Sequence, residues 1–287
     1  MTGRARLRRL AAAILPRHQP MKPVPAGLED GLDQAERTTE IWRTMMWIQH
    51  ADVRADVLVS VILPTHNRAT VVPRAIRSVI AQHHPSWELI VVDDGSADET
   101  RQVLAAIEDE RVRSIHIDQS GVAGARNRGL SEARGSLIAY LDDDNIMDPA
   151  WLRSVVWAFS RWPGVDIVYG ADLAEDLRPY SDLPHQMPVL VLRPFDRELM
   201  ARTSTFPDIN VLAHRAGLPE ARFDERLSGS ADLDFGFRLT AQRSMLPLPV
   251  IAAFYSTSID DRLSNLPGFW DEMRLVRERT SQASQAD

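Results

Sequence analysis

The sequence predicts an α/β protein built on a mostly parallel, twisted sheet flanked by helices. Three observations carry this expectation. Short β-branched runs alternate with amphipathic segments between residues 57 and 142, the order that builds a parallel sheet with helices on its faces. The run VLVSVILP (57–64) is continuously apolar and β-branched, as in a strand buried on both faces, and WELIVVDD (87–94) and SLIAYLD (136–142) read as further strands. Polar residues collect where these runs end, and ligands of such sheets bind beyond the carboxyl ends of the strands.

The bulk properties are compatible with one large domain carrying appendages. The chain has 287 residues, 44% hydrophobic and 25% charged, an ordinary globular mix. Its net charge of −7, from 33 basic and 40 acidic residues, argues against nucleic acid as a partner, because neutralising phosphates needs clustered Lys and Arg. There is no Cys, which excludes disulfides, thiolate metal sites and Cys nucleophiles. No run approaches the ~20 apolar residues that span a bilayer.

The elements follow in order. The N-terminus, MTGRARLRRLAAAILP, lacks the h-region and cleavage site of a signal peptide. On a helix, Leu7, Leu10, Ala11 and Ile14 would share one face, with Arg4, Arg6, Arg8 and Arg9 over the rest. That suits either a helix on an anionic membrane surface or a frayed basic terminus. Residues 16 to 33, with Pro16, Pro20, Pro23, Pro25, Gly27 and Gly31, read as a linker. A helix over 34–50 places Ile41, Met45 and Ile48 on one stripe.

After the first strand, an amphipathic helix over 70–82 carries Val72, Ala75, Ile76, Val79 and Ile80, with Pro73 in its first turn. The strand at 87–94 leads through Gly95-Ser96 to a helix over 98–110, then a strand at 112–117. A helix over 123–133 precedes the strand at 136–142. Beyond it the spacing predicts a helix from Asp148 to Trp162, a strand at 165–170, a helix over 232–242, a strand at 248–255 and a helix over 269–278. Residues 171 to 210 are Pro-rich and aperiodic, and read as a long functional loop.

Four constellations bear chemistry. In LDDDN (141–145) three adjacent carboxylates repel one another unless a cation or a helix start neutralises them, and hard divalent ions favour carboxylate and phosphate oxygens. VVDDGS (91–96) offers a carboxylate to a base or ribose donor, or forms an Asx turn. SGVAGARNRG (120–129) fits neither G-x-G-x-x-G nor a P-loop, but puts small residues and Arg126 near a helix start, suited to a diphosphate or to close packing. In GSADLDFGFRL (229–239), Asp232 and Asp234 stand near a helix start, where carboxylates are stabilised in any case. Two residues apart on a helix, only one of them can face a common site. His66 reads as a polar lining residue.

Together VSVILPTHNR (59–68), VVDDGSADET, GVAGARNRGL and GSLIAYLDDDNIMDPAWL (135–152) resemble glycosyltransferase family 2, inverting enzymes with the GT-A fold. The likeness is looser through FDERLSGSADLDFGFRL. It implies that Pro64, Thr65, Asn67 and Arg68 line a nucleobase pocket, that Asp94 contacts the base, and that Arg126 and Asp142 support the donor. Asp143 would reach the ribose and metal side, and Asp144 would be the main ligand of Mn2+ or Mg2+. The family's Glu-Asp pair before the late helix supplies the catalytic base; here it reads Ala231-Asp232, so Asp232 is the expected base. The late His that many members use as a metal ligand has no counterpart in FYSTSIDDRLSN.

The resemblance implies an N-terminal extension at 1–55, a GT-A domain at 56–262 and a C-terminal helix and tail at 263–287. The domain would divide into a nucleotide-sugar half (56–150) and an acceptor half (151–262). The expected reaction moves a sugar from a nucleoside-diphosphate sugar to a hydroxyl of a saccharide or lipid-linked acceptor, with inversion, in polysaccharide or glycan biosynthesis. The expected setting is cytoplasmic, at the inner membrane face, with peripheral contact through the basic N-terminus. Two alternatives stand beside it. One is a nucleotide-sugar-binding module without catalysis, motivated by Ala231 and the absent His. The other is a nucleotidyltransferase, against which PTHNRAT offers no glycine to hold a triphosphate.

Overall fold

The computed structural model describes residues 39, 42–174, 207–256 and 269–283. The basic N-terminal segment, the Pro-rich linker, most of the expected 171–210 loop and the stretch after Ser256 lie outside the described residues.

Helix α1 covers residues 42–50. It buries Met45 and Ile48, two of the three stripe residues, while Arg153 donates to the carbonyls of Ile48 (3.1 Å) and Ala51 (2.6 Å). The first half then alternates as expected: β1 (Val59–Thr65), α2 (Val72–Ile80), β2 (Trp87–Asp94), α3 (Thr100–Ala105), β3 (Val112–Ile117), α4 (Gly121–Glu132) and β4 (Leu137–Tyr140). Every residue of β1 and β2 is buried, which is why their sequences are continuous apolar runs rather than alternating ones.

Helix α3 ends well short of the expected Glu110. Ala106 and Ile107 bond back to Val103 and Leu104 in tightened turns, and Asp109 accepts from the amide of Arg111 at 3.0 Å. An Asp side chain competes in this way for the backbone and ends helices.

The second half contains β5 (Ile146–Met147), α5 (Trp151–Arg161), β6 (Ile167–Ala174), a 3-10 turn (Ile209–Val211), β7 (Leu212–Arg215), α6 (Ala231–Leu239), β8 (Met245–Tyr255) and α7 (Phe269–Ala283). Two parts of the expected 171–210 loop are therefore regular: β6 runs on to Ala174, and the 3-10 turn occupies Ile209–Val211. The apolar run of β6 pairs with the long β8, which extends it beyond the sequence expectation.

One mixed sheet holds all eight strands in the order β3-β2-β1-β4-β7-β6-β8-β5. β1 to β4 are mutually parallel, whereas β7 is antiparallel to both β4 and β6. The chain enters β7 from the turn at the carboxyl edge of the sheet, so it must run back toward the opposite edge. One hydrophobic core runs through both halves and takes in Met45 and Ile48 of α1 and Met273 and Val276 of α7. Phe223 and Phe235 stack at 4.2 Å, with Tyr140 of β4 edge-on to both. The register sets Thr65 opposite Asp93, which brings the ends of β1 and β2 level.

Candidate active site

The acidic run begins where β4 releases the chain. Leu141 still donates to Ile62 O at 3.0 Å, and a turn from Asn145 N to Asp142 O (3.1 Å) then carries Asp142, Asp143 and Asp144 over the edge. Thr65 at the end of β1 donates to Asp143 Oδ2 at 2.7 Å, and Arg68 Nε lies 3.7 Å from Asp143 Oδ1. Arg74 of α2 donates to the Asp144 carbonyl at 2.8 Å. Asp143 is nonetheless pushed up to about 7. Burial is the main cause, Thr65 and Arg68 act against it, and the neighbouring charges of Asp144 and Asp142 add to it. Crowded carboxylates of this kind favour a bound cation or proton.

The end of β2 is tied to the start of α4. Asp94 Oδ1 accepts from the Ser120 amide (2.6 Å) and hydroxyl (3.1 Å), and Oδ2 accepts from the Gly121 amide (2.8 Å). A carboxylate accepts about four hydrogen bonds, so Asp94 keeps about one acceptor position for a further donor. Its companion Asp93 is fully buried and accepts from Ser96 N (3.1 Å) and His116 Nδ1 (2.8 Å). Burial disfavours its charge, but these donors prevail and hold the carboxyl below its usual range. Gly95 turns the chain at φ +70°, and a Cβ there would meet the Gln119 amide nitrogen at 2.9 Å, so only glycine fits.

Asn67 also adopts a positive φ, 53°. Its side-chain oxygen accepts from the Ala97 amide at 2.7 Å, and its own amide donates to Ser96 Oγ at 2.8 Å. His66 Nδ1 meets the Asp94 carbonyl at 2.7 Å, and Asn67 Nδ2 meets His66 Nε2 at 2.9 Å. These two residues brace the β1 end against the β2 turn. Pro64 lies buried within β1 opposite Val92.

A second cluster centres on Arg126 of α4, which is 4% exposed. Its Nη2 donates to Asp142 Oδ1 at 2.6 Å, its guanidinium carbon sits 5.2 Å from the Phe223 ring centroid, and its Nε has no partner. Burial works against its charge, but Asp142 and then Asp232 outweigh it and keep it cationic. Asp142 Oδ2 also accepts from Asn210 Nδ2 at 2.9 Å. The same Asn210 donates from its backbone to Asp208 at 2.8 Å.

Asp208 is exposed by area, yet its carboxyl is raised, first by the protein atoms around it and then by the charges of Asp142 and Asp232. Asp232 stands in the first turn of α6, with Oδ1 accepting from Leu233 N at 2.8 Å. Burial raises its carboxyl, Arg126 opposes this and Asp142 adds to it. Asp234 faces elsewhere, paired with Arg238 at 2.7 Å.

The structure thus gathers Thr65, Arg68 and Asp143 at one end of the acidic run, and Arg126, Asp142 and Asp232 at the other. Asn67 and Asp94 serve the loops around them. Among the described residues, no group of three or more His, Asp or Glu side chains is placed to hold a metal. The crowded Asp143–Asp144 pair still fits Mg2+ or Mn2+, which take one or two carboxylates and complete their shell with water and substrate phosphates. Asn210, Asp208 and Glu272 were not visible in the sequence. They lie outside every motif, and the hydrogen bond from Asn210 to Asp142 spans 68 residues.

A parallel half-sheet whose carboxyl edge carries an acidic run, continued by a mixed half that brings Asp208 and Asp232 to it, defines a GT-A-type protein. The chain belongs to glycosyl transferase family 2, which it matches over residues 60–214. It is 44% identical over 91 residues to the putative teichuronic acid biosynthesis glycosyltransferase TuaG of Bacillus subtilis (strain 168), covering 31% of this chain and 36% of that protein. The chain therefore spans little more than a third of that relative's length.

Among solved structures it resembles S. aureus TarS 1–349 in complex with UDP-GlcNAc, with a TM-score of 0.63, 19% identity and coverage of 76% of this chain and 65% of that one. It also resembles the mannosyltransferase PcManGT from Pyrobaculum calidifontis in complex with GDP-Man and Mn2+, with a TM-score of 0.52, 19% identity and coverage of 89% and 70%. At these identities the likeness is one of fold. Among the described residues no helix is long and apolar enough to cross a membrane.

Proposed function

We propose that the protein transfers a glycosyl group from a nucleoside-diphosphate sugar to an acceptor hydroxyl, with inversion, in the synthesis of a surface polysaccharide or related glycan. The observation that carries this reading is the convergence of Asp232 with Arg126 and Asp142 at the edge where the Asp143–Asp144 pair stands. Family membership and the nucleotide-sugar and polysaccharide descriptions of the similar proteins support it.

Asp232 accepts the proton of the acceptor hydroxyl, the acceptor oxygen forms a bond to the anomeric carbon, and the bond from that carbon to the diphosphate breaks. A carboxyl raised by burial is a stronger base than an ordinary Asp. Arg126 sets the position of Asp142 and adds a positive charge to the site. Thr65 and Arg68 orient Asp143 beside the nucleotide. Asp144, with Asp143, would hold Mn2+ or Mg2+, which supplies neutralisation of charge on the leaving diphosphate. The acceptor is a saccharide or a lipid-linked saccharide, and the basic N-terminal segment gives peripheral contact with an anionic membrane face.

The test is Asp232→Asn. Release of nucleoside diphosphate from UDP-glucose, UDP-GlcNAc and GDP-mannose should fall at least a hundredfold for whichever donor the wild-type protein turns over. Affinity for that nucleotide should stay unchanged. Wild-type turnover in the variant would remove Asp232 from the mechanism, and no release from the wild-type protein would favour a binding module.

A further inference from the structure

The C-terminal helix α7 sends one carboxylate into the loop that carries the proposed base. Glu272 Oε1 accepts from the amide (2.8 Å) and hydroxyl (3.1 Å) of Ser228. Its Oε2 accepts from the amides of Gly229 (2.8 Å) and Ser230 (2.8 Å) and from the Ser230 hydroxyl (3.0 Å). Three consecutive backbone amides and two hydroxyls thus close on one side chain from more than forty residues away in sequence.

Such convergence fixes a loop rather than decorating it. Charge-assisted hydrogen bonds are about twice as strong as neutral ones, and together they satisfy three amides that would otherwise need water. The loop ends at Ser230, the residue preceding α6, and Asp232 follows in the first turn. Ser230 would ordinarily cap that helix with its hydroxyl, but the hydroxyl makes no capping bond and is turned to Glu272. The residue between them is Ala231, whose side chain can accept nothing. Further along α7, Arg279 reaches Asp224 at 4.0 Å, a second tie to the same region, and Met273 and Val276 seat the helix in the core.

We propose that Glu272 is a positioning residue for Asp232: by gripping Ser228, Gly229 and Ser230 it fixes where α6 begins and so where the base points. The proposal rests on the reading of Asp232 as base. It makes α7 part of the active-site architecture although the helix contributes no group to the reacting atoms.

The experiment compares the wild-type chain with Glu272→Gln and Glu272→Asp. An amide side chain of the same size turns an –NH2 toward backbone donors, so Glu272→Gln should lose the grip without creating a void. The expected result is a fall in kcat for nucleoside-diphosphate release of about tenfold, with the donor KM and the affinity for UDP or GDP within twofold of wild type. Glu272→Asp, which keeps the charge, should recover part of kcat.

Amide hydrogen exchange should accelerate at residues 228–234 in Glu272→Gln and stay unchanged in β1 to β4. Unchanged kcat would overturn the proposal, as would a loss in which KM and nucleotide affinity change in step with kcat. If the wild-type chain releases no nucleotide, the reading of Asp232 as base fails, and the exchange measurement alone judges the grip. Exchange that is unchanged at 228–234, or raised throughout the fold, overturns it there too.

Discussion

Arg126 Nη2 meets Asp142 Oδ1 at 2.6 Å, and through this contact a buried cation of α4 fixes the first residue of the acidic run. The same guanidinium feels Asp232 from the other half of the sheet. One side chain therefore links the loop expected to hold the donor with the residue expected to act on the acceptor.

Removing Arg126 should harm the fold as well as the site. The Asp142 side chain is 30% exposed and keeps its bond from Asn210, so the charge left behind is partly hydrated and the loss should be about 1–3 kcal/mol. Arg126→Met should lower the unfolding free energy in urea by that order, and adding Asp142→Asn should restore part of it. A double variant no more stable than Arg126→Met alone would show that the pair is not coupled.

The rate of transfer should carry an acidic limb set by Asp232. Its carboxyl is raised above the ordinary Asp value by burial, against the opposing pull of Arg126. A base must be deprotonated, so kcat should be full above that raised pKa and decline as pH falls through it. Arg126→Lys, which weakens the opposing charge contact, should move the limb to higher pH. A pH profile of kcat flat across the mildly acidic range would contradict this.

Metal dependence should reside in Asp144. A ligand present at a hundred times its Kd stabilises the folded state by about 2.7 kcal/mol. Thermal melts with a nucleotide sugar should therefore rise with Mn2+ in the wild-type chain by several degrees. In Asp144→Ala the Mn2+ increment should vanish while any metal-free increment remains. An equal increment in both proteins would move the metal elsewhere.

Acid sensitivity of the fold should come from His214 before the surface carboxylates titrate. Tyr140 Oη lies 2.8 Å from His214 Nε2, and His214 Nδ1 lies 2.7 Å from the Arg215 carbonyl. With Nδ1 donating to that carbonyl, Nε2 accepts from Tyr140, and burial lowers the imidazole from 6.5 to about 4. The folded pKa is the depressed one, so the unfolded chain binds more protons between the two values. Stability is full above about 6.5 and falls toward pH 4 by roughly 3 kcal/mol. His84, lowered mainly by burial, acts in the same direction. Tyr140→Phe leaves Nε2 buried without a donor and should cost about 1–3 kcal/mol at neutral pH. Urea unfolding at pH 7.5 and 5 measures both effects.

The sequence by itself determined the parallel half of this protein. Runs such as Val59–Thr65 and Trp87–Asp94 are long, apolar and β-branched because both faces are buried, and burial on both faces leaves a pattern that needs no partner to be read. The acidic run stood out for a related reason, because crowding among adjacent carboxylates is visible within a few residues, whereas Asp232 was singled out only through the resemblance to the family. Helical geometry allowed only one of Asp232 and Asp234 to face a common site, the family resemblance pointed to Asp232, and Asp234 is paired with Arg238.

Only the tertiary structure decided the rest. β5 and β7 hold two and four residues, too few to show a period, and they exist because neighbouring strands offer edges to pair with. For Asp94 the sequence left open a base contact or an Asx turn, and only the fold shows that Ser120 and Gly121, some 26 residues on, use three of its acceptor positions. Asn210 and Glu272 sit in no motif, and their hydrogen bonds to the site close over 68 and more than forty residues. A short-range pattern fixes which residues can form a strand or a helix, but which distant polar groups meet is fixed by how those elements pack.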